Sequence, residues 1–384
     1  MKKFLALLTA IIATLVCFSA CGSCVSDNDN SSSSSSGGNE PPVLTKRTAD
    51  GEIAYIFDEY EGFSYDAPSV IKDGNDVIVA YTTNKTQNKE DKIIAVKKGT
   101  FADGKFTFAA QKTAIEPSQD GWDKHNIDNA DLVKGEFLYG SESYNYLMVY
   151  QANSIASEKR MQIGAAVSKD ALSWVKVGDK PLLSYDYESL GDTAGLCYPS
   201  VVNVNQKGGI MLFYTRATSL VTETRFVEIN AANLNSPVFG GEICIPSSGL
   251  PLDGNEWSIT VNADFAYDKT SDEIYMVKDG FPYASNNAKK ATKIEIAKIA
   301  VADLFSQSAK WTTVVSIIDG LDVGYSRVYS AEFVTDGYAD TDGQNLALLF
   351  SSGVSASDAS DESYKFKNGI HYYEVPSLNR EDKQ

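Results

Sequence analysis

Short runs of alternating apolar and polar residues fill most of the chain, and Gly, Asn, Asp or Ser ends each run. The clearest stretch is Asn126 to Leu183, which holds four such runs: Ala130–Lys134, Tyr146–Gln151, Met161–Ser168 and Ser173–Val177. A period of two with many β-branched and aromatic residues predicts strands, not helices. The third and fourth runs are joined by SKDALSW, Ser168 to Trp174. Asp170 can bond the backbone of that turn, and Trp174 can fold back on the sheet. A single unit of this kind leaves both sheet faces uncovered, so the rest of the chain should supply copies.

Aligned strand starts provide them: PSVI at Pro68, ADLV at Ala130, PSVV at Pro199, ADFA at Ala263 and AEFV at Ala331. Their second residues, Ser69, Asp131, Ser200, Asp264 and Glu332, are 62, 69, 64 and 68 residues apart. Each start is followed by a second apolar run, such as VIVAYTT, YLMVYQA or IMLFYTR. A multi-strand repeat of this length, present five times, predicts an all-β fold, a five-bladed β-propeller with four antiparallel strands per blade. The fifth copy shows only three strands, while EIAYIFD, Glu52 to Asp58, precedes the first. This N-terminal strand is expected to close the last blade and hide two sheet edges. The propeller should span residues 47–380.

Residues 1–20 pair two lysines with an apolar run and small residues, the pattern of an export signal. FSAC, Phe18 to Cys21, resembles a bacterial lipoprotein cleavage box. The resemblance implies cleavage before Cys21, lipidation of its thiol, and a protein held at a membrane on the extracytoplasmic side, at the cell surface or in the periplasm. Residues 21–46 contain SSSSSSGGNEPP and read as a flexible tether.

At 384 residues and 43% hydrophobic content the chain can bury a large core. A net charge of −17 argues against binding a nucleic acid backbone. Of five cysteines, only Cys197 and Cys244 fall within the propeller. They fall on strands three steps apart in one blade, roughly 14 Å at strand spacing. A disulfide between them is therefore not expected. Two histidines and no Cys–His spacing give no zinc pattern. No organic cofactor is indicated, and a monomer is expected.

The strand starts, the SKDALSW hairpin with the following PLL, and CYPSVV at Cys197 resemble the five-bladed propellers of glycoside hydrolase families 43 and 32 over roughly Tyr55 to Leu378. The resemblance implies a substrate pocket at one mouth of the central channel and a carboxylate pair for glycoside chemistry. Where those families carry Asp-Pro in blade one, this chain has Ala67-Pro68, with Asp66 one residue earlier as the candidate base. Asn129-Ala130-Asp131-Leu132 matches their blade-two motif, whose Asp tunes the general acid, so Asp131 inherits that role by resemblance. The blade-three acid has no counterpart, because Leu196-Cys197-Tyr198-Pro199 holds no Glu. Glu188 and Asp192, just upstream, are the carboxylates that could replace it.

Asp264 and Glu332 complete an acidic set with Asp131 that could hold a hydrated cation such as Ca²⁺ in the channel. Tyr65, Trp122, Tyr198, Trp257 and Tyr325 precede inner strands and could stack on sugar rings, with His125 and Asp128 as polar companions. The leading expectation is a glycoside hydrolase. The alternatives are a surface protein that binds carbohydrate without cleaving it, and a propeller that serves a structural or partner-binding role.

Overall fold

The computed structural model describes residues 43–44, 54–57, 64–86, 92–249, 262–280, 291, 293–319, 328–343, 345–352 and 369–375. Residues 1–42, with Cys21, lie outside this set, as do Trp257 and Tyr325.

Two strands precede the first blade, β1 (Val43–Leu44) and β2 (Ala54–Phe57). Blade 1 comprises β3 (Tyr65–Asp73), β4 (Asp76–Asn84), β5 (Lys92–Ala102) and β6 (Lys105–Phe108), and β7 (Lys112–Ile115) also pairs with β5. Blade 2 is β8 (His125–Tyr139), β9 (Glu142–Asn153), β10 (Gln162–Ser168) and β11 (Trp174–Lys176). A short helix, α1 (Tyr187–Leu190), leads to blade 3: β12 (Gly195–Asn203), β13 (Gly209–Ala217), β14 (Thr222–Asn230) and β15 (Val238–Cys244). Blade 4 is β16 (Ala263–Asp268), β17 (Glu273–Gly280), β18 (Lys293–Ala300) and β19 (Thr312–Asp319). Blade 5 is β20 (Val328–Phe333), β21 (Ala347–Ser352) and β22 (Gly369–Glu374), and β2 joins β22 antiparallel as its fourth strand.

The five-bladed, four-stranded architecture is the one the repeat predicts, closed by the N-terminal strand. β1 falls inside the stretch expected to be tether; it runs parallel to β19 on the outer edge of blade 4.

The turn chemistry acts as the sequence suggests. Asp170 Oδ1 accepts from the amides of Leu172 and Ser173, each at 2.8 Å, and these bonds hold its carboxyl down at about 2. Blades stack face to face through apolar side chains, as in the rings of Phe213 and Phe265, 4.0 Å apart between blades 3 and 4. Both Cys197 and Cys244 are free thiols.

Each inner strand carries, or in blade 4 directly follows, a residue in the left-handed region: Ala67 (φ 45°), Asn129 (46°), Tyr198 (52°), Asn262 (52°) and Ser330 (49°). In four of the five blades the register slips at this residue, the mark of a bulge. The bulge turns the local amide sideways, toward the preceding blade. Thus Ala67 N donates to Ser351 Oγ (3.1 Å), Asn129 N to Thr82 Oγ1 (3.1 Å), Tyr198 N to Gln151 Oε1 (2.7 Å) and Ser330 N to Asp279 Oδ1 (2.9 Å). All four acceptors lie on the second strand of the preceding blade.

Three residues further along, a second layer of amides repeats the stitch. Leu132 N donates to Ser69 Oγ (3.0 Å), Val201 N to Asp131 Oδ2 (2.6 Å), Phe265 N to Ser200 Oγ (3.0 Å) and Phe333 N to Asp264 Oδ2 (2.8 Å). Four of the five residues aligned in the sequence repeat, Ser69, Asp131, Ser200 and Asp264, therefore join blade to blade.

The far end of the channel is crossed by the chain between β20 and β21. Its carbonyls accept in succession from blades 1 to 4: Thr335 O from Lys72 N (2.8 Å), Gly337 O from Lys134 N (2.5 Å), Tyr338 O from Asn203 N (3.0 Å) and Ala339 O from Tyr267 N (2.8 Å). This crossing stops the channel at that end and leaves the mouth where the inner strands begin.

Candidate functional site

The mouth is a pocket lined by Ala67, Asn129, Tyr198, Asn262 and Ser330 with the small residues that follow them, above Asp131, Asp264 and Glu332. All five left-handed residues reach it, and four of them, Asn129, Tyr198, Asn262 and Ser330, are half-buried. No carboxylate occupies a bulge position. Asn262 is held by Asp279 Oδ2 (2.5 Å) and Ser330 Oγ (3.1 Å), so its amide is fixed in orientation.

Beneath this rim, ligand oxygens of Asp131, Asp264 and Glu332 lie within 4.8 Å of one another. Asp131 and Asp264 are buried and Glu332 is half-buried. Burial raises the pKa of all three; for Asp264, pushed up to about 8, the charge of Asp131 adds to it. Asp131 is opposed by a hydrogen bond with Glu332 and by bonds from Val201 N, Ser69 Oγ and Leu132 N, so it is the member best suited to carry charge. Calcium takes six to eight oxygens. Both oxygens of Asp131 and both of Asp264 already accept from hydroxyls or amides, and Glu332 is bonded to Asp131. This donor set does not fit a calcium ion.

Asp66 sits half-buried at the start of β3, where its Oδ1 accepts from Ala67 N at 2.7 Å. Asp128 is buried; it pairs with Lys92 at 2.7 Å and accepts from Gln151 Nε2. Burial works against a charge on Lys92, but Asp128 and then Asp66 outweigh it, and the pKa of the amine rises. The two aspartates therefore flank one ammonium on the blade 1–2 side of the mouth. Cys197 lies behind Tyr198, and burial pushes its thiol up, with Asp128 and Glu158 adding to the shift.

Other residues singled out from the sequence lie elsewhere. Trp122 stacks on Tyr150 (ring centroids 5.9 Å apart) and covers Gly164, where an added Cβ would lie 2.6 Å from the indole. Its face is taken up by blade packing. Its neighbour Asp123 bonds Tyr150 Oη (3.2 Å) and Lys176 Nζ (2.6 Å), which pins the loop. Tyr65 packs edge-on to Tyr81 at 5.7 Å. His125 begins β8 opposite Asn153. Glu188 is exposed on α1 and does not line the mouth, and Asp192 is paired with Arg160 at 2.7 Å. The structure thus gathers Tyr198, Asp131, Asp264 and Glu332 at one pocket, with Asp66 and Asp128 beside it. It adds Asn129, Asn262, Ser330, Lys92 and Gln151, which the sequence reading did not assign to a site. The first three could have been found as the residues two positions before each aligned Ser, Asp or Glu.

No protein-family model matches the chain, and no curated protein matches it. Solved structures do. A family 117 glycoside hydrolase of the marine bacterium Zobellia galactanivorans superposes with a TM-score of 0.57 at 13% identity, over 86% of this chain and 92% of that one. An α-L-arabinofuranosidase from Lactobacillus brevis gives 0.53 at 9% identity, over 83% and 92%. An N-acetylgalactosamine deacetylase from F. plautii, in complex with blood group B trisaccharide, gives 0.53 at 13% identity, over 85% and 95%. At these identities the likeness is one of fold. The chain is a five-bladed β-propeller of the architecture that glycoside hydrolases use.

Proposed function

We propose that this is an exported, lipid-anchored propeller that binds a glycan at its open mouth and does not cleave it. The observation that carries this reading is the identity of the five left-handed residues at the rim. Ala67, Asn129, Tyr198, Asn262 and Ser330 offer amide, hydroxyl and aromatic groups, and no carboxylate, at the rim of the pocket. Fixed amides and hydroxyls suit the hydroxyl groups of a sugar, and an aromatic ring suits its apolar face. Asp131 and Asp264 lie one layer deeper and are occupied in joining blades. Solved neighbours include a protein captured with a trisaccharide, which supports a carbohydrate ligand. A polar, Ser-rich tether after Cys21 is consistent with a domain held off a membrane surface.

A second reading, hydrolysis, draws on Asp66 and Asp128 around Lys92, because a carboxylate pair beside the mouth is what glycoside cleavage requires. The test is a panel of polysaccharides and arylglycosides assayed for both retention and release of reducing ends. Binding without release is expected. Release that Asp66→Asn abolishes would establish hydrolysis instead. For the anchor, Cys21→Ser should move the protein from the membrane to the soluble fraction; an unchanged membrane fraction would remove that part of the proposal.

A further inference from the structure

The lower stitch has a parity problem. Around the channel the five positions read Ser69, Asp131, Ser200, Asp264 and Glu332. Each serine accepts the next blade's amide and donates its hydroxyl to the next blade's carboxylate: Ser69 Oγ to Asp131 Oδ1 at 2.8 Å, and Ser200 Oγ to Asp264 Oδ1 at 2.7 Å. Donor and acceptor alternate cleanly over four blades. A ring of five cannot alternate all the way round, so two acids must be neighbours, and here they are Asp264 and Glu332.

Among the described residues, no cation is paired with them. The residues opposite the five on the second strands are Ala80, Val149, Phe213, Val277 and Leu349, all apolar. From β3 and β12 the hydroxyls of Ser69 and Ser200 donate to the cluster. Other charged groups near the mouth are already partnered: Lys92 faces Asp128 and Asp66, Asp279 on β17 accepts from Asn262 Nδ2 and Ser330 N, and the buried Lys278 on the same strand pairs with Glu295 at 3.1 Å. Among the described residues lining the pocket there is no Lys, Arg or His.

We infer that the ring is closed by a proton: Glu332 acts as a neutral acid and donates to Asp131 across the floor of the mouth, tying blade 5 to blade 2. The bond between the two carboxyls supports this direction, since it raises Glu332 and lowers Asp131. The clasp makes propeller stability depend on pH. Carboxyls whose folded pKa is raised bind more protons folded than unfolded, so stability falls as pH rises from about 4 and, for Asp264, levels off above about 8.

The experiment is the melting temperature of the full chain from about pH 5 to about pH 9, for wild type, Glu332→Gln and Asp264→Asn. The amide of Glu332→Gln donates at every pH. Its melting temperature relative to wild type should therefore climb by several degrees across the range, and Asp264→Asn should show the same trend. A gap that is constant with pH overturns the inference, as does a wild-type melting temperature raised by about 1 mM Ca²⁺ and lowered by a chelator. If neither variant folds, wild type alone decides. The infrared C=O stretch of a protonated carboxyl must be present at neutral pH and fade above it, and its absence at neutral pH contradicts the clasp.

Discussion

The amide of Tyr198 donates to Gln151 Oε1 at 2.7 Å, and the other end of the same side chain donates to Asp128. One glutamine on the second strand of blade 2 thus sets both the rim residue of blade 3 and the acid that faces Lys92. Gln151→Leu keeps the volume but leaves a buried amide without its acceptor. The expected loss is about 1–3 kcal/mol in chemical denaturation, with weakened ligand binding at the mouth. Unchanged stability would mean that the upper stitch does not tie blade to blade.

Trp122 gives a different pattern. Because its ring fills the space between Tyr150 and Gly164, Trp122→Ala should open a cavity and cost about 3 kcal/mol. Gly164→Ala should also destabilise, since its Cβ would meet the same indole. Ligand affinity of the remaining folded Trp122→Ala protein should stay close to wild type. Lost affinity with intact stability would return Trp122 to the binding surface.

Gly337 tests the crossing that stops the channel. It sits at φ 104°, and an added Cβ would lie 2.8 Å from Lys134 Cδ and 2.9 Å from Ile71 Cγ2. Gly337→Ala should therefore cost more than the roughly 1 kcal/mol of left-handed strain alone, measured by urea unfolding. A cost at or below that figure would show that the crossing yields easily.

Closure by the N-terminal strand is tested by truncation. Removal of residues 1–46 deletes β1 but keeps β2, so the melting temperature should change little. Removal through Asp58 takes β2 from β22 and exposes a sheet edge of blade 5. That truncation should melt far lower or aggregate; equal melting of the two would contradict the closure.

Much of this was legible in the sequence, for a physical reason. Ser69, Asp131, Ser200, Asp264 and Glu332 align because every blade needs a hydrogen-bonding group at the same depth, and a recurring need leaves a recurring residue type. The bulge residues were harder to see. Ala67, Tyr198 and Ser330 are not residue types that favour the left-handed region, and the amide bonds that hold Ala67, Asn129, Tyr198 and Ser330 there come from Ser351, Thr82, Gln151 and Asp279, each on another blade. The crossing at Thr335–Ala339 uses backbone carbonyls, which leave no trace in side-chain chemistry. Trp122 was ambiguous because an aromatic before an inner strand serves blade packing as readily as sugar stacking.

The rim, as proposed, binds a glycan and does not cut it. The most direct measurement is titration of wild type, Tyr198→Ala and Asn262→Ala with whichever polysaccharide the panel identifies, alongside an assay for reducing ends. The account predicts that wild type binds, that each rim substitution weakens binding at least about tenfold, or about 1.4 kcal/mol, and that no reducing ends appear. Full affinity in both rim variants, or release of reducing ends that Asp66→Asn abolishes, would contradict it.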